Sequence, residues 1–242
     1  MSDPGSAGRL VSMSLDWQQL TGRSRTHIVQ LESPRIALHR DVVAPFLALR
    51  AAAAADGIDL IVSSSFRDFD AQCAIWNRKF RGERPLLDAA GDVIDPSGLD
   101  DGQRIDHILR WSALPGASRH HWGTEVDLYD AAAAPQGYRV QLVPAEFAAG
   151  GVFGRVAAWL AANAGLHGFY PPYCTFLGGV QPEPWHWSYA PISGQALATL
   201  TPAIIAEALA DADLDGKSIV LERLDAIHRR YVLAVTPPPI VA

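Results

Sequence analysis

Residues 118–127 of this chain, Ser-Arg-His-His-Trp-Gly-Thr-Glu-Val-Asp, combine histidines and carboxylates at a spacing that suits a metal centre. His120 and Asp127 are seven positions apart, with Gly123 between them. A turn at Gly123 would fold two short extended arms back, so that both side chains point at one spot. Imidazole nitrogen and carboxylate oxygen are zinc ligands. A histidine and an aspartate at this spacing are also common on surfaces, so this segment alone leaves solvated polar residues as an alternative.

A second segment, residues 183–187, reads Glu-Pro-Trp-His-Trp and supplies a further histidine and acid. A catalytic zinc site commonly has three protein ligands and a water. His186 is therefore predicted as the third ligand, and Glu183 would lie beside the water, where a general base acts. Trp185 and Trp187 are expected to exclude water and hold the ligands rigid, although plain core packing is an equal alternative for Trp187.

These segments carry a family resemblance. Ser-x-His-x-x-Gly-x-x-x-Asp followed by Glu-x-x-His resembles the signature of the VanY-type D-alanyl-D-alanine carboxypeptidases, which belong to the M15 metallopeptidases. Residues 64–72, Ser-Ser-Phe-Arg-Asp-Phe-Asp-Ala-Gln, resemble the family's Ser-Gly-Tyr-Arg segment with a glutamine five residues after the arginine. The three segments occur in family order, and the resemblance covers roughly residues 20–189.

The chain departs from the family pattern at two places. Glu125 stands two residues before Asp127, where the family usually has a small residue, often alanine. Ser65 and Phe66 stand where glycine and tyrosine are common. No proposed ligand is affected. Glu125 either alters substrate choice or serves as the partner of a nearby base.

The resemblance implies a role for each matching residue. Zinc would be the cofactor, held by His120, Asp127 and His186, and Glu183 would activate the attacking water. Arg67 would stabilise the oxyanion or hold the substrate carboxylate, because a guanidinium donates two parallel hydrogen bonds.

The remaining candidates from the resemblance carry alternatives. Arg67 could instead form a structural salt bridge with Asp68 or Asp70. Gln72 and Ser118 are predicted substrate contacts, although Ser118 could equally form a hydrogen bond within its turn. His121 adjoins a ligand but lies off the motif and is given no role.

The implied substrate is the terminal D-alanine of a peptidoglycan stem peptide or its precursor, and removal of the last residue of a tetrapeptide, an L,D-cleavage, is an open variant. One rival is a zinc-containing module that binds wall peptides without cutting them. Retention of Glu183 and Arg67 speaks against it, since a binder needs no base. A second rival is a zinc endopeptidase, dipeptidase or amidase that acts on the wall.

Several elements can be predicted around these segments. Asp41 is expected to cap a helix through Ala55, a strand should follow near residues 58–62, and Asp68 should cap the next helix. Residues 81–101 read as a long surface loop that borders the site. Further helices are expected at residues 154–163, with Gly165 as the stop signal, near 202–212 and near 215–231.

Helices mixed with short strands favour an α+β class in one domain, residues 1–242. The catalytic core is expected at about 20–190, with C-terminal helices at about 201–232. The resemblance implies a small antiparallel sheet flanked by helices, the hedgehog and DD-peptidase-like fold.

The composition limits the class of protein, its partners and its expected location. With 49% hydrophobic residues and a net charge of −6, the chain can bury a core, and without a basic tract it gives no reason to expect a nucleic-acid partner. No stretch is long and apolar enough to span a bilayer. Residues 1–9 contain no export signal. The expected location is therefore cytoplasmic as written, and periplasmic or in the cell envelope for a processed form.

The sequence contains two cysteines, Cys73 and Cys174, which lie 101 positions apart. They match no zinc or redox spacing and are expected to be ordinary buried thiols, with a disulfide open in an oxidising compartment. The sequence gives no oligomeric state.

Overall fold

The computed structural model describes residues 14–239, so residues 1–9, with the prediction about an export signal, lie outside it. The helices are α1 (Trp17–Leu20), α2 (Val43–Ala55), α3 (Phe69–Phe80), α4 (Asp101–Leu109), α5 (Pro144–Phe147), α6 (Gly154–Asn163), α7 (Ala190–Thr199), α8 (Pro202–Leu209), α9 (Lys217–Glu222) and α10 (Leu224–Ile227). The strands are β1 (Ile28–Glu32), β2 (Arg35–His39), β3 (Leu60–Ser64), β4 (Leu86–Leu87), β5 (Val93–Ile94), β6 (Glu125–Asp130), β7 (Phe169–Tyr170) and β8 (His186–Tyr189).

The central element is a four-stranded antiparallel sheet in the order β3-β6-β8-β7. Its register pairs Asp127 with Ser64 on one side and with His186 on the other. Side chains alternate along a strand, so Glu125 and Asp127 point to one face of β6 while Val126 points to the other. This small sheet among helices confirms the predicted α+β class.

The two faces of the sheet have different surroundings. Val126, Leu128 and Trp187 belong to a hydrophobic core that includes residues of α2 and α6, such as Phe46 and Leu160. Burying one large apolar side chain contributes about 1.5–3 kcal/mol. This core holds the sheet from its apolar face and leaves the opposite face, with Asp127 and His186, to polar residues.

A second core joins α3 and α4 to the C-terminal helices. It contains Trp76 of α3, Ile105 of α4, Leu209 of α8 and Val220 of α9. Trp76 also donates from its indole nitrogen to the carbonyl of Asp215, at 3.0 Å. The C-terminal helices therefore support α3, the helix that follows Arg67.

Asp68 caps α3 as predicted, since its carboxylate accepts from the backbone nitrogen of Ala71 at 2.8 Å. The cap predicted at Asp41 is wrong. Asp41 lies inside a 3-10 turn, Arg40–Val42, and the His39 ring accepts from its backbone nitrogen at 3.2 Å. The 3-10 turn lets the chain enter α2 directly from β2, so α2 has no side-chain cap.

Three other expectations about local structure need correction. The segment before Gly123 is a 3-10 helix, Arg119–Trp122, rather than an extended arm. Helix α6 runs on as a 3-10 helix, Ala164–His167, and the left-handed residue that ends it is Gly168, with φ of 81°. The helix predicted near residues 215–231 is divided into α9, α10 and a π-helical turn, His228–Val232.

The region predicted as a long loop, residues 81–101, contains the β4–β5 hairpin and a short 3-10 turn, Pro96–Gly98. Cys73 and Cys174 are both free, Cys73 is half-buried and Cys174 is exposed. The prediction of two buried thiols is therefore wrong for Cys174 and holds only in part for Cys73. Within residues 14–239 no single helix could cross a membrane. The pair α7 and α8 meets the length and hydropathy criteria jointly and is bent by 81°.

Candidate metal centre

His120, Asp127 and His186 come together as the sequence predicts. His120 lies in the 3-10 helix before Gly123, Asp127 on β6 and His186 on β8. One nitrogen or oxygen atom from each lies within 4.8 Å of the others, and all three residues are buried. Asp127 Oδ2 is 3.4 Å from His120 Nε2, and Asp127 Oδ1 is 3.0 Å from His186 Nδ1.

Gly123 makes this convergence possible. Its φ of 69° lies in the left-handed region that glycine adopts without a steric penalty. A Cβ atom at this position would lie 2.6 Å from the backbone nitrogen of His39 and would also overlap the Ile28 side chain. The chain can therefore reverse beside β2 and bring His120 back to Asp127 only because residue 123 has no side chain.

Hydrogen bonds fix both imidazole rings. The His120 Nδ1–H donates to the carbonyl of Ser65 at 2.8 Å, which leaves Nε2 without a proton and facing Asp127. The His186 ring is turned the other way, because Nε2 donates to Glu125 Oε2 at 2.7 Å and Nδ1 faces Asp127. Such outer partners select the tautomer and the direction of a ligand nitrogen.

The electrostatics of the cluster suit a cation. Burial disfavours ionisation of Asp127, but His120 and His186 outweigh it and lower the pKa of this carboxyl. Burial acts against the charged form of His186, yet the carboxylates of Asp127 and Glu125 raise its pKa to about 10. Asp127 Oδ1 is buried without a hydrogen bond in the described residues. Two imidazoles and a carboxylate therefore fit a zinc ion, and binding it would release a proton.

Glu183 lies beside this cluster. Its Oε2 is 3.6 Å from His186 Nδ1, and its side chain is 13% exposed. The backbone nitrogen of His186 donates to the Glu183 carbonyl at 3.0 Å, which forms the turn that sets the carboxylate next to the ligand. Burial raises the pKa of Glu183 to about 7. A carboxyl group of this pKa can both take up and deliver a proton near neutral pH.

Arg67 faces the same cavity, and its guanidinium is held at both ends. Nη1 donates to Gln72 Oε1 and Nη2 donates to Ser64 Oγ, each at 2.8 Å. The alternative salt bridge is not formed with Asp70, whose carboxylate lies 3.9 Å from Arg23. Asp68 is occupied as the cap of α3. Arg67 is therefore oriented by neutral partners and keeps its charge available to a ligand.

The predicted substrate contacts have different positions. Gln72 is fully buried and donates to the carbonyl of Ala113 at 2.7 Å while accepting from Arg67, so it orients Arg67 and does not line the cavity. The direct substrate contact predicted for Gln72 does not fit this geometry. Ser118 lines the cavity, and its side chain does not cap the 3-10 helix that follows it.

The cavity beside the cluster has a volume of about 290 Å³. Its lining includes the three predicted ligands, Glu183, Arg67 and Ser118, together with Lys79, Arg84, Leu87, Trp111, Leu142 and Tyr173. Arg84 and Leu87 belong to the region of residues 81–101, which borders the site as expected. The position of Lys79 is indicated by helical spacing, because residues 72, 75, 76 and 79 share one face of a helix.

His121 is buried, and its ring contacts the carbonyl of Arg67 at 2.6 Å and the backbone nitrogen of Gly116 at 3.1 Å. It joins two loops and lies outside the ligand cluster. Trp187 is part of the core behind the sheet, whereas Trp185 belongs to that core and also lines the cavity.

Comparison with known proteins agrees with the arrangement. The family model of VanY, D-alanyl-D-alanine carboxypeptidase, matches residues 35–192, which include every site residue named above. The chain belongs to this family of carboxypeptidases. The resemblance read from the motifs is thereby confirmed.

Sequences similar to this VanY family member include an uncharacterized protein and a carboxypeptidase. An uncharacterized protein of Haemophilus influenzae is 47% identical over 105 residues, which are 42% of this chain and 72% of that protein. A D-alanyl-D-alanine carboxypeptidase of Enterococcus faecalis is 29% identical over 154 residues, which are 62% of this chain and 47% of that protein.

Two solved structures share the fold. VanYB in complex with D-alanine-D-alanine has a TM-score of 0.51 at 24% identity, and the match covers 77% of this chain and 89% of the VanYB chain. A VanY D,D-pentapeptidase in complex with Zn(II) has a TM-score of 0.50 at 24% identity, and the match covers 74% of this chain and 92% of that chain. These likenesses confirm the DD-peptidase-like fold.

Proposed function

We propose that this protein is a zinc-dependent carboxypeptidase that removes the C-terminal D-alanine from peptidoglycan stem peptides. The observation that carries the proposal is the buried group of His120, Asp127 and His186 with the Glu183 carboxylate 3.6 Å from His186. Ligands alone would suit a structural metal site. A carboxyl group with a raised pKa at the edge of an open cavity suits catalysis.

Zinc bound by the three ligands would acidify a water molecule and polarise the scissile carbonyl. Glu183 takes the proton of the attacking water and delivers it to the leaving amine. Arg67 donates to the oxygen on which negative charge develops. One such donor is typically worth about 10²–10³-fold in rate. Gln72 and Ser64 hold the guanidinium in place beforehand, so little reorganisation is needed when the charge forms.

The family and the cations of the cavity support this substrate class. The matched family is that of D-alanyl-D-alanine carboxypeptidases, and VanYB was solved with D-alanine-D-alanine. A peptide that ends in a free carboxylate needs a positive partner once it enters a half-enclosed cavity, because an unpaired buried charge is costly. Arg67, Lys79 and Arg84 supply positive charge to this cavity.

Product analysis tests the proposal. Defined tri-, tetra- and pentapeptide stems are incubated with the zinc-loaded protein and examined by mass spectrometry. Free alanine is the expected product, from the pentapeptide for a D,D-cleavage or from the tetrapeptide for an L,D-cleavage. Release of a dipeptide would indicate a dipeptidase or endopeptidase. Absence of any product would indicate a module that only binds wall peptides.

A further inference from the structure

A buried ion pair lies directly behind the metal ligands. Arg119 and Glu125 are 3% and 0% exposed, and Nη2 of the arginine is 3.3 Å from Oε1 of the glutamate. Burying two opposite charges contributes little net stability, because both lose their hydration. Neither residue is needed by the steps described for Glu183 and Arg67. Their retention in the protein interior therefore calls for another role.

The hydrogen bonds of Glu125 divide between its two carboxylate oxygens. Oε2 accepts from His186 Nε2 at 2.7 Å. Oε1 accepts from the hydroxyl groups of Ser188 at 2.6 Å and Thr124 at 2.9 Å, in addition to its contact with Arg119. One oxygen of the carboxylate thus binds the His186 ring, and the other binds Ser188, Thr124 and Arg119. Glu125 does not line the cavity.

Arg119 secures this arrangement from the other side. Its Nη2 also donates to Ser188 Oγ at 2.7 Å and to Tyr170 Oη at 2.9 Å, and its guanidinium lies 4.7 Å from the ring centroid of Trp122. Arg119 directly precedes His120, and Glu125 lies two residues before Asp127 on the same strand face. The pair therefore links all three segments that carry ligands.

We propose that Glu125, with its charge balanced by Arg119, is a positioning residue that holds His186 with Nε2 protonated and Nδ1 directed at the metal. The inference rests on the proposed zinc site. It decides between the two roles that the sequence leaves open for Glu125. Substrate choice requires contact with the cavity, whereas the observed contact is with a ligand.

Zinc affinity tests this role without any turnover. The dissociation constant is measured by competition with a chromophoric chelator for the wild type, Glu125→Ala and the double variant Arg119→Met/Glu125→Ala. The double variant removes both charges, so no unpaired ion remains to unfold the protein. Loss of an outer partner typically weakens metal binding about 10–100-fold. We expect this loss in each folded variant, with an altered visible spectrum of the cobalt-substituted protein.

Each result supports or overturns the role. A lower melting temperature with an unchanged zinc constant and an unchanged cobalt spectrum would reduce the pair to a purely structural one. A wild type that binds no zinc would overturn this inference and the proposed function together. A wild type that binds zinc tightly, loses affinity on substitution and hydrolyses no peptide would leave the inference intact and overturn the proposed function.

A different observation concerns the lysine in the cavity. Lys79 lies on the face of α3 that also carries Ile75 and Gln72, and both Lys79 and Ile75 line the cavity. Its ammonium donates to Ser112 Oγ at 2.6 Å, and in residues 14–239 no carboxylate lies within ion-pairing distance of it. An ammonium has three donors, so this contact leaves two.

The charges around Lys79 favour an anionic ligand. Burial lowers the pKa of Lys79 to about 8, Glu183 opposes this shift, and Arg84 and Arg67 add to it. Four cations, Arg67, Lys79, Arg84 and Arg119, thus face a cavity in which Asp127 and Glu183 are the carboxylates of the lining. Arg119, which also lines the cavity, is paired with Glu125, and Arg67 is required by the oxyanion. Lys79 is therefore the enclosed cation that keeps two donors and has no carboxylate within ion-pairing distance in residues 14–239.

The geometry points to Lys79 as the group that binds the C-terminal carboxylate of the substrate, with Arg84 at the mouth of the same subsite. This assignment also rests on the proposed function. It separates the two roles given to Arg67, which is then left to the oxyanion. A carboxylate bound by Lys79 and Ser112 would satisfy the ammonium and fix the end of the peptide.

Peptide binding to a catalytically inactive variant tests the assignment. Zinc-loaded Glu183→Gln protein is titrated calorimetrically with a stem pentapeptide that ends in a free acid and with its C-terminal amide. Adding Lys79→Met should weaken binding of the acid about tenfold or more and that of the amide by less than about twofold, since a charge-assisted hydrogen bond is lost only with the acid. Arg78→Met is the matched control, because Arg78 is exposed, does not line the cavity and contacts Glu83.

Equal losses for acid and amide, or no loss for either, would overturn the role of Lys79, as would failure of the parent protein to prefer the acid. Wild-type release of alanine alongside such a result would leave the proposed function standing. Lys79→Arg keeps the charge and should recover part of the affinity for the acid, which a mere packing role would not predict.

Discussion

Glu183 Oε2 lies 3.6 Å from Nδ1 of His186, the nitrogen that faces Asp127. The separation is longer than a hydrogen bond, so the carboxylate stands beside the ligand cluster rather than within it. A water bound at the proposed metal would therefore lie within reach of this carboxylate. This arrangement is the one expected of a general base beside a metal site, and it gives the first prediction.

Glu183→Gln should keep the metal and lose most of the activity. The amide has nearly the same shape and cannot take a proton. Removing a general base typically costs about 10²–10⁴-fold in rate. Zinc content measured on the same preparation is the control. If turnover stayed within a few-fold of the wild type, the base would be another group, and Glu125 could not replace it because it is fully buried and occupied by hydrogen bonds.

One zinc ion per chain is expected, bound through His120, Asp127 and His186. His120→Ala and His186→Ala should each lose the metal, as determined by elemental analysis after dialysis against trace zinc. His167→Ala is the control, since His167 lies in the 3-10 turn after α6 and outside the ligand cluster. A variant of His120 or His186 that retained a full zinc equivalent would remove that residue from the ligand set.

Arg67→Lys should lower kcat/KM substantially while the melting temperature changes little. The lysine keeps the charge but cannot reproduce two donors held in a fixed fork by Gln72 and Ser64. A loss of about 10²-fold is expected if the group stabilises the oxyanion. The contrary pattern, a large fall in melting temperature with normal kinetics of the remaining folded protein, would assign Arg67 to the fold.

Gly123→Ala should destabilise the protein and weaken zinc binding together. A left-handed φ costs a residue with a Cβ about 1–2 kcal/mol, and the added atom would press on the backbone of His39. Gly137→Ala is a matched control, because φ is 78° there and a Cβ would meet nothing within 4 Å. Denaturant unfolding and chelator competition measure both effects. Equal losses of stability in the two variants, with unchanged zinc binding, would contradict this role of Gly123.

The sequence correctly predicted that His120, Asp127 and His186 come together, because strand alternation and a glycine turn are local properties. That these residues bind zinc stays a prediction. Asp127 and His186 each sit in short motifs, and their meeting needs only one antiparallel pairing. The contacts in the protein interior could not be predicted in the same way. Glu125 could be recognised as unusual, but its bond to His186 depends on the register of β6 and β8, which no local pattern states.

Other shortcomings have the same physical origin. The sequence predicted that Gln72 contacts the substrate. In the structure its amide instead forms hydrogen bonds with Arg67 and with Ala113, which lies in a loop 41 residues away. Lys79 shares a predictable helix face, yet its place in the cavity depends on Ser112 of that same loop. The division of the helix near residues 215–231 reflects tertiary packing against α4 and α8, which overrides local helix propensity. The single-domain boundary, with its core at about 20–190, stays a prediction.

The most direct measurement of the central claim compares two substrates that differ only at the chain end. A pentapeptide stem ending in free D-alanine and the same peptide ending in D-alanine amide are incubated with zinc-loaded protein, and the released residue is quantified by mass spectrometry. A site that pairs a buried cation with a carboxylate should reject the neutral end, so we expect release from the acid and little from the amide. Equal cleavage of both would contradict a carboxypeptidase and favour an endopeptidase, with the zinc chemistry left intact.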